Sequence, residues 1–329
     1  MNSQDPQSLQ PRLGELRDAL AQAVVGQGEV VEQLLIGLLA GGHCLLEGAP
    51  GLGKTLLVRS LGQALDLRFL RVQFTPDLMP SDILGTELLE EDHGTGKRAF
   101  RFQQGPVFTN LLLADELNRT PPKTQAALLE AMQEHTVSYA GTTHALPAPF
   151  FVLATQNPIE QAGTYPLPEA QLDRFLLHVR VDYPSEAEER DILLQTTGTR
   201  TGEVPQVMDG AAILAAQAQV REVHVGGDLL DWINRLVRAS RPRDASAPDE
   251  VRKYVRWGAG PRAGQSLVLA AKARALLHGR FAATRDDVRV LAAPVMRHRL
   301  LLSFAAEAEQ VGADDVVAAL LRAVPWPGA

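Results

Sequence analysis

Apolar residues recur along this chain with two different periods. Over residues 13–23 and 30–39 they return every three or four positions. In the second stretch Val30, Val31, Leu34, Leu35, Leu38 and Leu39 share one face, which predicts two amphipathic helices joined by a turn at 24–28. Residues 43–47 form a short continuous apolar run, and residues 68–74 alternate through Phe69, Val72 and Phe74. Together with the runs at 111–114, 150–154 and 175–181 they predict five buried strands. A helix over 123–134 carries Ala126, Leu128, Leu129 and Met132 at burial spacing. Polar turns at 90–97 and 140–141 separate extended runs, 86–89 from 99–103 and 136–139 from 142–146, and predict two hairpins. Ser81 and Asp82 suit the cap of a short helical turn. Residues 1–12 carry no such pattern and are expected to fray.

After Tyr183, Pro184 and Ser185 the strand signal stops. Helical periodicity follows over 186–195, 211–219, 228–238, 262–278, 284–291 and 314–324, with a proline-containing loop at 241–248. Ser185, with Glu188 three residues later, has the pattern of a capping box. Alternating α/β elements followed by helices alone predict an α/β sheet unit and a second, helical unit. The 329 residues suffice for two such units, and no internal repeat intervenes.

With 45% hydrophobic and 22% charged residues the chain reads as an ordinary globular protein. Its net charge of −7 argues against a protein that coats nucleic acid by bulk charge. No apolar run reaches bilayer length, so direct membrane insertion is not expected. The N-terminus lacks a basic region followed by an apolar core, so no secretory leader is expected either. A single cysteine, Cys44, cannot form an intrachain disulfide, which suits a reducing cytoplasm; it reads as a small buried hydrophobe.

The chemistry begins directly behind the first strand. Gly48, Ala49, Pro50, Gly51, Leu52, Gly53, Lys54 and Thr55 lead into an amphipathic segment. Glycines let backbone N–H groups curl around a polyphosphate, and the following helix turns its positive end toward the same anion. Lys54 is suited to the β- and γ-phosphates and Thr55 to Mg²⁺. Asp115 and Glu116 end a buried strand at the edge where open α/β sheets bind ligands. There Asp115 would hold Mg²⁺, and Glu116 would orient and deprotonate an attacking water; helix-capping acids are the plainer alternative. Asn157 ends the next strand, where its amide could hold the lytic water, but Asn-Pro is equally a common turn pair. Arg174 could stabilise charge on a transferring phosphoryl group, although a surface ion pair is the commoner fate of an arginine. Arg262 opens a helix against the helix dipole, which hints at an anionic partner.

Together these segments resemble the MoxR-type AAA+ ATPases of the helix-2-insert clade. The resemblance rests on Val25-Gly26-Gln27, residues 48–55, residues 114–119, the long run 154–175, residues 260–263 and Val295-Met296-Arg297-His298-Arg299. It implies a P-loop NTPase core with a parallel five-stranded sheet over 1–183, then an all-helical lid domain over 184–329. It also implies that residues 48–55 are Walker A, Asp115 and Glu116 are Walker B with Glu116 the catalytic base, and Asn157 is sensor 1. Arg174 matches the arginine finger acting on a neighbour's ATP, Arg262 matches sensor 2, and Val25, Gly26 and Gln27 line the adenine pocket. The hairpin around residues 93–97 matches the helix-2 insert, and that around Gly141 the pre-sensor-1 hairpin; such loops face a central pore in ring ATPases, while plain surface turns are the alternative. Two positions depart from the family pattern. Gly260 stands where serine is usual, which could loosen the segment carrying Arg262, and Thr120 stands where alanine is commoner.

The resemblance implies a cytoplasmic homo-oligomer, a hexameric ring, that hydrolyses ATP with Mg²⁺ and remodels protein clients of the von Willebrand factor A domain class. A magnesium-chelatase-type motor is the first alternative, although the long insertions that would favour it are absent from the sequence. A nucleic-acid motor of the same clade and a nucleotide-gated switch without hydrolysis are the others; acidic charge counts against the former and Glu116 against the latter.

Overall fold

A computed structural model describes residues 6–24, 26–49, 51–91, 98–156, 163–196 and 204–326. Helix α1 (Pro6–Ala23) leads to α2 (Gly28–Leu39), strand β1 (Cys44–Gly48), α3 (Lys54–Ala64) and β2 (Phe69–Gln73). A short helix, α4 (Pro80–Leu84), precedes the hairpin β3 (Gly85–Glu91) and β4 (Arg98–Gln104). Next come β5 (Leu111–Asp115), α5 (Pro122–Glu134), the hairpin β6 (Thr136–Tyr139) and β7 (Thr142–Ala145), β8 (Phe151–Gln156), α6 (Glu169–Leu172) and β9 (Leu177–Val181). The second half holds α7 (Glu186–Thr196), α8 (Gly210–Glu222), α9 (Gly227–Ala239), α10 (Asp249–Tyr254), β10 (Val255–Trp257), α11 (Pro261–Leu277), α12 (Arg285–Met296), β11 (Leu301–Leu302), α13 (Phe304–Ala308) and α14 (Ala313–Ala323).

The five predicted strands form one parallel sheet in the order β2-β5-β8-β1-β9. Leu111, Leu112, Leu113 and Ala114 of β5 are wholly buried, as are Val152, Leu153 and Ala154 of β8, because helices cover both faces of a parallel sheet. Successive side chains divide between two cores. Leu46, Leu113 and Leu153 join α1, α2 and α3, whereas Leu45, Leu112 and Val152 join α5. The first core runs on into the lid, where Leu267, Val288 and Leu291 belong to the same cluster as Leu34 and Val179. The helical unit is therefore seated against α2 and β9. Because all five strands run the same way, Gly48, Gln73, Asp115, Gln156 and Val181 end at one edge of the sheet.

The N-terminal expectation is corrected: α1 starts at Pro6, not after residue 12. Leu9 extends the stripe Leu13, Leu16, Leu20 by one turn and is 2% exposed. Arg12, which read as part of a polar tail, donates from Nη2 and Nε to the Val207 carbonyl at 2.8 and 3.2 Å. One further turn of apolar contact outweighs the polar composition around it. The lid also contains elements too short to announce themselves by periodicity: α10, α13 and an antiparallel pair in which Val255 opposes Leu302.

Both hairpins form. In the first, Glu91 pairs with Arg98 across strands that expose Phe100 and Leu89; its tip at 93–97 lies outside the described residues. In the second, Ala140 and Gly141 both have positive φ, which a tight two-residue turn requires. The capping box at α7 is realised, the Ser185 N–H donating to Glu188 Oε2 at 2.8 Å.

His43, just before β1, carries a prediction about stability. Its Nδ1 accepts the Val152 N–H at 3.0 Å, so Nε2 bears the proton and donates to the Met132 carbonyl at 2.9 Å. Burial, opposed by the Met132 bond, lowers its pKa to about 4 from the ordinary 6.5. Above pH 6.5 the neutral ring costs nothing. As the pH falls from 6.5 toward 4 the unfolded chain takes up this proton before the folded chain does, so stability is lost by about 3 kcal/mol. Urea unfolding between pH 7.5 and 4.5 is expected to show this loss, and His43→Gln to show a shallower slope. Parallel slopes would remove His43 as its source.

Candidate nucleotide-binding site

Residues of three strands and the β1–α3 loop meet at the carboxyl edge of the sheet. Gly51, Gly53, Lys54, Thr55, Arg71, Gln73, Asp115, Glu116 and Thr155 line a cleft of 390 Å³. Gly51 and Gly53 have φ of 85° and 73°, in the left-handed region, and among the described residues no atom beyond their chain neighbours lies within 4 Å of where a side chain would start at either. Glycine permits this backbone without steric cost. Lys54 Nζ donates to the Gly48 carbonyl at 2.6 Å, so the amine is folded back over its own loop. Burial lowers the Lys54 pKa, while the charges of Asp115, Glu116 and Glu47 pull it back upward.

The acidic pair is held by residues on neighbouring strands. The Thr155 hydroxyl donates to Asp115 Oδ1 at 2.6 Å and accepts the Glu116 N–H at 2.8 Å. One β8 side chain thus fixes the turn that ends β5. Asp115 Oδ2 accepts from Arg71 Nη2 at 2.6 Å, and Glu116 Oε2 accepts from Gln73 Nε2 at 2.7 Å and Arg119 Nη1 at 2.9 Å. Glu116 itself sits at φ 55° and ψ 49°, a conformation uncommon for a side chain of its kind. That turn points its carboxylate off the strand axis and toward Gln73 and Arg119.

Of the sequence-designated residues, Gly51, Gly53, Lys54, Thr55, Asp115 and Glu116 line this cleft, and Gly48, Ala49 and Leu52 belong to the same loop. Gln27 is tied to it, since its Nε2 donates to the Leu52 carbonyl at 2.6 Å. Gly26, at φ 76°, lies against Glu188 of α7. Val25, Pro50 and Asn157 lie outside the described residues.

Arg174 and Arg262 do not line the phosphate-loop cleft. They meet in a second cleft of 280 Å³, together with Asp173, Arg221 and Gln265. Arg262 Nη1 lies 3.9 Å from Asp173 Oδ2, and its side chain is half exposed. Reading from sequence also missed Arg71, Gln73 and Thr155. A signal existed for the first two: at alternate positions on β2 they share one face, and the sheet order sets β2 beside β5, with Gln73 opposite Asp115.

The cleft fits a magnesium–nucleotide complex. A glycine-lined cradle, a lysine and paired Thr55 and Asp115 oxygens match the phosphate and Mg²⁺ requirements, since Mg²⁺ needs few protein carboxylates when phosphates supply ligands. Gln27 Oε1 is buried with no hydrogen-bond partner among the described residues, leaving an acceptor free beside the loop.

Comparison with known proteins agrees with this geometry. Residues 43–177 match the ATPase family associated with various cellular activities (AAA), and residues 249–320 match the AAA lid domain. The chain is 43% identical over 304 residues to Chaperone MoxR1 of Mycobacterium tuberculosis, spanning 92% of this chain and 79% of that protein. It is 35% identical to Protein MoxR of Paracoccus denitrificans, spanning 97% of each. A crystal structure of a protein from Cytophaga hutchinsonii superposes with a TM-score of 0.89 at 39% identity, over 97% of this chain and 96% of that one. A phosphate-loop cleft on a five-stranded parallel sheet, a helical lid and relatives of this closeness together place the chain in the family of MoxR-type AAA+ ATPases.

Proposed function

We propose that this chain hydrolyses ATP in the 390 Å³ cleft and uses the energy to remodel protein clients. Membership of the AAA+ family supports ATPase activity, and a relative named as a chaperone supports the chaperone-like class. The convergence of Lys54, Thr55, Asp115 and Glu116 on one cleft carries the reading. Backbone N–H groups of residues 51–55 and Lys54 Nζ bind the phosphates, Lys54 leaving the Gly48 carbonyl to do so. Thr55 and Asp115 would hold Mg²⁺, which when bound would neutralise phosphate charge. Glu116 Oε2 turns from Gln73 and Arg119 to accept the proton of the attacking water. By the resemblance, Asn157 helps to place that water, and Val25, Gly26 and Gln27 border the adenine.

Arg174 and Arg262, sharing a cleft apart from the phosphate loop, act on the ATP of an adjacent copy, so the working unit is a ring, taken as a hexamer. The nucleotide-binding domain is assigned to 1–183 and the lid to 184–329; β9 ends at Val181 and α7 begins at Glu186 on either side of that boundary. Clients are assigned to the von Willebrand factor A domain class and the location to the cytoplasm; no helix among the described residues is long and apolar enough to cross a membrane. The client class is tested by affinity capture with Glu116→Gln protein in the presence of ATP. Recovery of such a domain protein is expected, and recovery of nucleic acid alone would overturn the reading.

A further inference from the structure

The segment Val295-Met296-Arg297-His298-Arg299 was singled out in the sequence, yet none of it lines the phosphate-loop cleft. Its last three residues form a 3₁₀ turn after α12 that lies along the chain from Asp173 to His178. Arg297 Nη1 donates to the His178 carbonyl at 3.0 Å and His298 Nε2 to the Phe175 carbonyl at 3.2 Å. Arg299 is the centre of the contact, its side chain 2% exposed. Nε donates to Asp173 Oδ1 at 2.7 Å; Nη2 donates to the Phe175 carbonyl at 2.7 Å and to Ser266 Oγ at 3.2 Å. Nη1 donates to the Leu176 carbonyl at 3.3 Å and to the Val295 carbonyl.

All five N–H donors of one guanidinium are therefore used. Their acceptors come from three places: the residues either side of Arg174, the end of α12, and Ser266 on α11, one turn beyond Arg262. A buried charge with every donor satisfied fixes geometry, because any displacement strands a donor away from water. Asp173 reinforces the link, one oxygen on Arg299 and the other 3.9 Å from Arg262.

We propose that Arg299 is a positioning residue that sets Arg174 and Arg262 in register with each other, so that the lid of one copy governs catalysis in the next. The proposal rests on the reading that Arg174 acts across a subunit boundary. Arg299 touches no reacting atom. It acts by holding the segment that presents Arg174, and misplacing such a group by an ångström costs on the order of 10²-fold in rate.

The test uses full-length protein carrying Arg299→Lys, which keeps a charge but replaces the planar fork with three donors on a flexible stem. Assembly by sedimentation and affinity for a non-hydrolysable ATP analogue are expected to stay within about twofold of the parent, while kcat falls about 10- to 100-fold. Mixing supplies the readout that a merely structural role would not move. Arg299→Lys subunits retain Glu116, and Glu116→Gln subunits retain a correctly held Arg174. Mixed assemblies are therefore expected to exceed the activity of either variant alone, as are mixtures of Arg174→Ala with Glu116→Gln. Recovery in the Arg174 mixture but not in the Arg299 mixture would overturn the proposal and leave the ring reading standing. Recovery in neither would overturn both. An unchanged kcat, or lost affinity for the analogue, would also refute the role of Arg299. Asp173→Asn, which weakens the same link at a partly exposed site, is run in parallel and is expected to show the same pattern, so the question is answered even where Arg299→Lys fails to fold.

Discussion

Glutamine in place of Glu116 is expected to lower ATP turnover by about 10²- to 10⁴-fold, the range contributed by a positioned general base. ATP binding is expected to survive, because the proposed phosphate contacts are made by the loop at 48–55 and by Lys54 rather than by this carboxylate. The geometry supports both halves of that statement. Thr155 holds the Glu116 N–H, and the β5 strand behind it is buried, so the backbone of the turn has no reason to move when one oxygen becomes an amide. The amide still accepts a hydrogen bond from Gln73 or Arg119 through its remaining oxygen, but it cannot take a proton from water. Steady-state phosphate release, measured beside equilibrium binding of a fluorescent ATP analogue, checks the split. Equal turnover in parent and variant would remove Glu116 from the reaction, and lost binding would mean that the substitution had disturbed the loop instead.

Much of the fold was legible because its signals are local. A strand buried on both faces must be apolar throughout, so residues 111–114 and 150–154 stood out, and a phosphate loop needs glycines at fixed places. Five strands and the two hairpins were found to within a few residues on that basis. The site was legible where one segment carries it, as at Lys54, Thr55, Asp115 and Glu116. It was not legible where it depends on which strands become neighbours. Arg71 and Gln73 sit more than forty residues from Asp115 and Glu116, and only the order β2-β5 brings them together. The N-terminal turn of α1 was missed for a related reason. Leu9 is one apolar residue among polar ones, and its value comes from the tertiary core that it joins. Arg299 shows the limit most plainly. An arginine in a sequence suggests a surface charge, and nothing in its neighbours announces a guanidinium that is buried with all five donors satisfied.

Alanine in place of Arg174 is expected to reduce kcat by about 10³- to 10⁵-fold, as removal of an arginine finger does, without weakening ATP binding. The absence of any Arg174 contribution to the phosphate-loop cleft is the reason to separate the two quantities. A cation that served its own subunit's nucleotide would line that cleft; this one lines another with Arg262 and Arg221, where the one acid in the lining, Asp173, is already engaged by Arg299. Such an excess of positive charge is stable in water but is suited to an anion brought by a neighbour. On the proposed reading that Arg174 acts on a neighbour's ATP, activity depends on association. The parent protein, diluted below its assembly concentration, is expected to lose specific activity in step with the loss of oligomer seen by sedimentation, while the bound fraction of ATP analogue stays constant. Full turnover in a monomeric sample would show that Arg174 is not needed from a second copy, since one chain would then complete its own site.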